Sequence, residues 1–295
     1  MSPSLILAPL RGVTIRCFRE TFAAEIQAAG FVEAVTPFVA AMPGFDPLKD
    51  RELREATGVS RDGLRITPQL IGKDPVALRI CLERIRAAGY ETADLNCGCP
   101  FPMVRNKGRG SGLLRAPETL RRMLDVGCEV MGTGKFSVKA RLGVERPDEL
   151  LSLLPMINEY PLRSLTVHAR TARQMYEGDC DLRAFDLIAT SAKVPVVYNG
   201  DVSFPPATVP AHAAAVMVGR GFVRALGERE DSRELLLRYL EASRRELCGE
   251  SPVLGRMKEL LAYWGQDARL GSARWVKRWN LIKVCRSLDE LRLVI

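Results

Sequence analysis

Histidine is almost absent from this chain of 295 residues: only His168 and His212 occur, far apart in sequence. Cysteine is present eight times, but the closest pair, Cys97 and Cys99, is spaced too tightly for the C-x2-C step of a structural zinc site. No metal is therefore expected. No apolar run approaches the ~18 residues that a bilayer span needs. The opening run Leu5-Ile6-Leu7 is short, has no basic region before it and passes straight into Ala8-Pro9. It reads as a first strand rather than a secretion signal. No membrane association is expected, and a cytoplasmic monomer with reduced thiols is. The fingerprint G-x-G-x-x-G is also missing after that first strand, which argues against an open dinucleotide-binding sheet.

What is present is ordinary in bulk and uneven in detail. Hydrophobic residues make up 47% and charged residues 26%, a usual globular balance. The length allows one large α/β domain with an appendage, or two mid-sized domains. The net charge is +8 with a sequence pI near 9.2. Between residues 97 and 122 there are six bases (Arg105, Lys107, Arg109, Arg115, Arg121, Arg122) against one acid, Glu118. From 241 to the end there are eleven bases against seven acids. A polyanionic partner accounts for such clustering; a solvated basic face is the plain alternative.

Eight short β-rich runs stand at 5–7, 31–35, 64–70, 92–95, 136–140, 165–167, 194–198 and 215–218. Most are continuously apolar, as parallel strands covered on both faces require. Helical stretches alternate with them at 15–29, 75–88, 117–130, 148–159 and 182–191, several opened by proline and closed near glycine. The alternation predicts an α/β fold, a (β/α)8 TIM barrel. Two places fit less well: 38–63 shows no clear strand, and the crossover at 204–213 carries three prolines and only a weak helix. Beyond Gly227 the strand signal stops. A small all-α C-terminal domain is expected there, which divides the chain into 1–228 and 229–295. Val253, Leu254, Met257, Leu260, Leu261 and Trp264 form one of its apolar faces. Trp275, Trp279 and Ile282 lie along a second, beside Arg274, Lys277 and Arg278.

A barrel collects its chemistry at the carboxyl ends of its strands. Those ends read Pro9-Leu10-Arg11-Gly12, Gln69, Asn96 to Cys99, Lys139 with Arg141, His168 with Arg170, Asn199-Gly200-Asp201 and Gly219-Arg220-Gly221. The last two match the recurrent phosphate loops of this fold, where glycine lets peptide N–H groups approach and Arg220 adds charge. Lys139 needs an anionic partner if buried. It could offset an electron-rich cofactor ring, form a Schiff base or make a structural ion pair. Cys99 leaves its strand on a sharp turn, open to a role as nucleophile, acid or ligand. The glycine-rich loop 107–112 reads as a mobile cover or a plain connector.

These motifs together resemble the tRNA-dihydrouridine synthases. Asp94-Leu95-Asn96-Cys97-Gly98-Cys99-Pro100 resembles the family's D-L-N-x-G-C-P. Ala8-Pro9-Leu10-Arg11-Gly12-Val13-Thr14, Gln69, the 107–111 loop, Val138-Lys139-Ala140-Arg141, His168-Ala169-Arg170-Thr171, Asn199-Gly200-Asp201 and Val218-Gly219-Arg220-Gly221 follow in order. The resemblance covers nearly the whole chain and is nearest to the branch acting on position 16 of the D-loop. It implies FMN as cofactor, NADPH as electron donor and tRNA as substrate. It makes Cys99 the acid that protonates uracil carbon 5 while hydride reaches carbon 6. Pro9, Leu10, Gln69, Lys139, His168, Asn199, Gly200, Asp201, Gly219 and Arg220 would hold FMN. Asn96, Lys107, Arg141, Arg170, Arg256, Lys258, Arg274, Lys277 and Arg278 would meet the tRNA. The rival readings are an FMN barrel acting on a small molecule in the manner of dihydroorotate dehydrogenase, a Schiff-base lyase using Lys139, and a non-catalytic tRNA-binding protein.

Overall fold

The computed structural model describes residues 3–43, 63–266 and 272–295. Its strands are β1 (Ser4–Leu7), β2 (Phe31–Val35), β3 (Val39–Ala41), β4 (Arg65–Thr67), β5 (Gln69–Gly72), β6 (Ala93–Cys97), β7 (Phe136–Gly143), β8 (Leu165–Thr171), β9 (Val196–Asn199) and β10 (Ala215–Val218). They form one sheet in the order β3-β5-β6-β7-β8-β9-β10-β1-β2-β4, with every pairing parallel.

Two of the barrel staves are each split in two. Pro68 separates β4 from β5, and Pro37 lies between β2 and β3; proline cannot donate to a ladder. Because β2 pairs with β4 and β3 with β5, the split staves run side by side and close the ring. The ten segments thus make the eight strands expected. The short strand β3 lies where no clear strand was expected; residues 44–62 of that stretch fall outside the described residues.

The helices between strands are α1 (Arg16–Thr21), α2 (Ala23–Ala28), α3 (Pro75–Ala87), α4 (Pro102–Arg105), α5 (Pro117–Met131), α6 (Glu149–Ile157) and α7 (Leu182–Ser191), and α8 (Arg220–Glu228) follows the last strand. A 3-10 turn at Gly110–Arg115 precedes α5. The single helix expected over 15–29 breaks at Phe22, whose backbone leaves the helical region at φ −103° and ψ 26°. Its ring is fully buried and stacks on Tyr239 at 5.5 Å, so packing overrides local helix preference. The crossover at 204–213 holds no helix.

Alternation along the strands gives the barrel two kinds of lumen. On one side Ile6, Ala8, Val35, Val197, Ala215 and Met217 pack together as a dry cluster. On the other the inward positions are polar and buried: Glu33, Thr67, Gln69, Asp94, Asn96, Ser137, Thr166 and His168. Glu33 closes the lower end, taking two bonds from Arg163 at 2.8 and 2.5 Å and one from Thr67 at 2.6 Å. The outward residues, such as Leu7, Leu95, Val138 and Val167, join the helices in the main core.

The tail forms α9 (Ser232–Glu246), α10 (Glu250–Gly265), α11 (Ala273–Ile282) and α12 (Leu288–Val294). Two indoles fasten it to α8. Trp264 donates to the Val223 carbonyl at 2.7 Å and Trp275 to that of Gly227 at 3.0 Å, satisfying N–H groups that burial would otherwise strand. Gly227 lets Trp264 lie flat against α8: an added Cβ would stand 2.6 Å from its Cγ. We expect Gly227→Ala to cost about 1–3 kcal/mol by overpacking, seen as a thermal midpoint several degrees lower in circular dichroism. An unchanged midpoint would show that this seam yields freely.

Candidate active site

Strand β6 ends in a turn whose shape is set by one hydrogen-bond relay. Asp94, 1% exposed, accepts from Gln69 Nε2 at 2.7 Å and from Ser137 Oγ at 2.8 Å. Gln69 Oε1 in turn accepts from Asn96 Nδ2 at 2.8 Å. Asn96 Oδ1 then accepts from the peptide N–H groups of Gly98 and Cys99, at 3.1 and 2.8 Å. Each donor and acceptor fixes the next, so the buried carboxylate decides which way both amides face. Burial pushes the Asp94 carboxyl up to about 6, against the opposing bonds from Gln69 and Ser137 and the charge of Lys139.

The two thiols of the turn face opposite ways. Cys97 is fully buried in the main core, and burial together with the Asp94 charge drives its pKa far up. Cys99 is 8% exposed at the barrel rim. Burial raises it first; a bond from the Phe101 peptide N–H and the charges of Arg11 and Arg141 partly offset this. The Cys99 carbonyl accepts from Ser111 N at 3.2 Å and Ser111 Oγ at 2.9 Å. Gly110, at φ +56°, approaches so closely that a Cβ would stand 2.8 Å from that of Cys99. The glycines of the 107–112 loop therefore serve close packing: Gly110, Ser111 and Gly112 are buried under the turn. From Gly110 onward the stretch read as a mobile cover or a connector is packed against the turn, while Lys107 stands exposed at its start.

Across the mouth, Lys139 donates to Asn199 Oδ1 at 2.9 Å, and Asn199 Nδ2 donates to the Met217 carbonyl at 2.8 Å. Burial, then Arg141, pulls Lys139 down to about 8. Arg141 is 2% exposed and braces the turn. It donates to the carbonyls of Gly98 at 3.1 Å, Thr171 at 2.8 Å and Met175 at 2.6 Å. Its guanidinium lies 5.2 Å from the Tyr176 ring centroid, and that of Arg220 lies 4.8 Å from the same ring. Burial and the charges of Arg141, Lys139, Arg170 and Arg220 hold His168 well below its ordinary pKa, hence neutral near pH 7. Arg170 lies 3.4 Å from His168 Nε2 and also pairs with Asp201, which Arg220 grips from its other side.

The last two strands end in backbone made for close approach. Gly200 sits at φ +129°, and a Cβ there would stand 2.6 Å from Cys180 Sγ and 3.0 Å from His168 Cδ2. Gly219 opens α8 without a side-chain cap, so the helix presents its first peptide N–H groups and positive end to the mouth. Pro9 and Leu10 lie beside it, their turn pinned by Thr14 Oγ1, which accepts from Leu10 N at 2.7 Å and donates to the Ala8 carbonyl at 2.9 Å. Lys139, Arg141, Arg170 and Arg220 thus gather around a rim where Asp201 pairs with Arg170 and Arg220. Such a site calls for an anion.

The basic residues of the tail divide. Arg256 is ion-paired with Glu246 and its side chain is 10% exposed. Lys258 donates to the carbonyls of Lys283 at 3.0 Å and Cys285 at 2.5 Å, closing the end of α11. Arg274 and Lys277 are exposed, Arg274 reaching the Glu230 carbonyl at 3.3 Å. Arg278 lies 5.7 Å from the Trp275 ring centroid. Four further residues complete the mouth. Glu259 of α10 packs against Gly12 and lies in the field of Arg11, and Tyr263 shares the field of Tyr176 and Arg220. Glu259 and Tyr263 follow Arg256 by three and seven residues, a helical spacing that carries them to one face. Arg11 adjoins Pro9-Leu10 directly. Tyr176 had no comparable marker in the sequence.

The relay has a direct test. Asp94→Asn keeps an acceptor for Gln69, whereas Asp94→Leu leaves a buried amide unsatisfied, at about 1–3 kcal/mol. We expect faster alkylation of Cys99 by iodoacetamide in the leucine variant only; equal rates in both would detach the turn from Asp94.

A family model described as dihydrouridine synthase matches residues 6–232. The chain is 27% identical to tRNA-dihydrouridine synthase B of Serratia marcescens over 289 residues, covering 94% of this chain and 83% of the relative. It is 30% identical to tRNA-dihydrouridine(16) synthase of Cupriavidus necator over 300 aligned positions, covering 91% of each. Among solved structures, a morphinone reductase variant in complex with tetrahydroNAD superposes with a TM-score of 0.55 at 14% identity, covering 75% of this chain and 84% of that one. The likeness is one of fold.

Proposed function

The chain belongs to the dihydrouridine synthase family, and we propose that it reduces a uridine in the D-loop of tRNA to 5,6-dihydrouridine. The reading takes FMN as cofactor, NADPH as electron donor, Cys99 as proton donor and position 16 as target, the position in the name of the Cupriavidus necator relative. The observation that carries it is the placement of the buried Cys99 thiol at one barrel mouth with four cations, Lys139, Arg141, Arg170 and Arg220.

The residues present suit FMN. Gly200, Gly219, the uncapped start of α8 and Arg220 offer a cradle for its phosphate. Lys139, whose ammonium makes one hydrogen bond among the described residues, has donors to spare for the ring. His168, Asn199, Gln69, Pro9 and Leu10 complete the lining, and Asp201 holds Arg170 and Arg220 in place. FMN, when bound, supplies the hydride.

The chain's own side chains do the rest. The thiol of Cys99 gives its proton to uracil carbon 5; because burial raises its pKa, it is held in the acid form that this role needs. Arg141, Arg170 and Asn96 set the floor on which the base lies. The uridine must leave the tRNA fold to reach this depth. Lys107, Arg274, Lys277 and Arg278 would hold the phosphate backbone, while Arg256 and Lys258 fix the helices of 229–295 that carry the grip. The setting for such a substrate is the cytoplasm.

Cys99→Ala is expected to bind FMN and tRNA normally and to lose turnover by roughly 10²–10⁴-fold, the usual worth of a general acid. Cys97→Ala should match the parent. Restoring each variant to a strain lacking the gene and mapping dihydrouridine in its tRNA by mass spectrometry decides this; full modification by Cys99→Ala would remove the thiol from the chemistry. A second expectation concerns Lys139, whose charge is complete below its pKa of about 8 and lost above it. Binding of FMN to flavin-free protein should weaken as pH rises from about 7 to about 9. Lys139→Met should flatten that dependence in a fluorescence titration.

A further inference from the structure

We propose that Phe101 and Met103 form an apolar wedge that fills the gap left in the tRNA stack when the target uridine turns into the barrel. The proposal rests on the tRNA-reducing function above and adds to it how the RNA is held open.

Both side chains are exposed. Phe101 is 44% exposed and Met103 72%. Both follow directly on the turn of the proton donor, and the Phe101 peptide N–H bonds to the Cys99 thiol itself. A base lying against Cys99 therefore leaves its neighbours within reach of this tip.

The tip is also rigid. Pro100 and Pro102 flank Phe101, and its carbonyl accepts from Val104 N and Arg105 N, each at 2.9 Å, so α4 starts on it. Gly112 packs beneath the Arg105 carbonyl from the far side. A fixed apolar point costs little ordering when it enters a stack.

Charge selects the partner. Lys107 stands exposed four residues beyond Met103, with the half-buried Arg105 and Arg109 on either side of it in sequence, and from 97 to 117 the sequence has no acid. An apolar point on an acid-free basic stretch suits nucleic acid, whose phosphates meet Lys107 while the bases meet the point. Phenylalanine and methionine are side chains that serve as wedges between bases elsewhere.

The flavin-loaded protein provides the test, with unmodified tRNA as substrate and NADPH oxidation in its absence as the control. Phe101→Ala and Met103→Ala should each lower kcat/KM for tRNA, by about 5- to 100-fold for Phe101, the worth of one aromatic–base stack. Flavin reduction by NADPH should not change. Phe101→Trp should keep kcat/KM near the parent value, a rescue that a purely structural defect would not give. Alanine variants with the parent's kcat/KM would overturn the wedge, including the case in which the tip instead docks a protein. If the parent itself forms no dihydrouridine, the function and the wedge fall together; if the parent is active and the variants equal it, only the wedge falls.

Discussion

A single buried carboxylate governs the geometry of this site. Asp94 lies at the polar side of the lumen with both oxygens bonded. Through it Gln69 is oriented, through Gln69 Asn96, and through Asn96 the two peptide N–H groups that shape the turn of Cys99. A buried chain of this kind is rigid only when every member is satisfied. Arg141 ties the same turn to the loop after β8 by bonding the Gly98, Thr171 and Met175 carbonyls. The thiol is thus held from below and from across the mouth.

The division of the lumen explains why such a site can exist in a stable fold. Half of the interior is a dry cluster, and the other half supports buried polar groups that bond to one another. The upper polar layer contains more cationic than anionic groups. Burial and mutual repulsion lower the proton affinity of Lys139, Arg141 and His168, a cost that a bound anion relieves. The same surplus would recruit a phosphate-bearing ring and, beyond it, a nucleic-acid backbone.

Much of this was legible in the residues because parallel strands are apolar runs and barrel chemistry sits at their ends. The eight runs and the rim residues Cys99, Lys139, His168, Asn199 and Gly219 followed from those two rules. What escaped depended on tertiary packing. Phe22 breaks a helix because its ring is needed against Tyr239. The glycines at 110 and 112 read as part of a mobile cover or a connector, yet each marks a backbone approach that only the folded turn reveals. Glu259 and Tyr263 reach the mouth because two indoles dock α10 and α11 on α8, which no local pattern states. The resemblance set Arg256 and Lys258 among the tRNA contacts; the intrachain partners that the fold gives them have no marker in the local sequence.

The most direct measurement is a single anaerobic turnover. The flavin-loaded protein is reduced, freed of excess reductant and mixed with unmodified tRNA, and flavin reoxidation is followed alongside dihydrouridine by mass spectrometry. The account predicts that reoxidation requires the tRNA and yields one dihydrouridine for each flavin oxidised. Reoxidation without dihydrouridine, or a reduced flavin indifferent to tRNA, would contradict it.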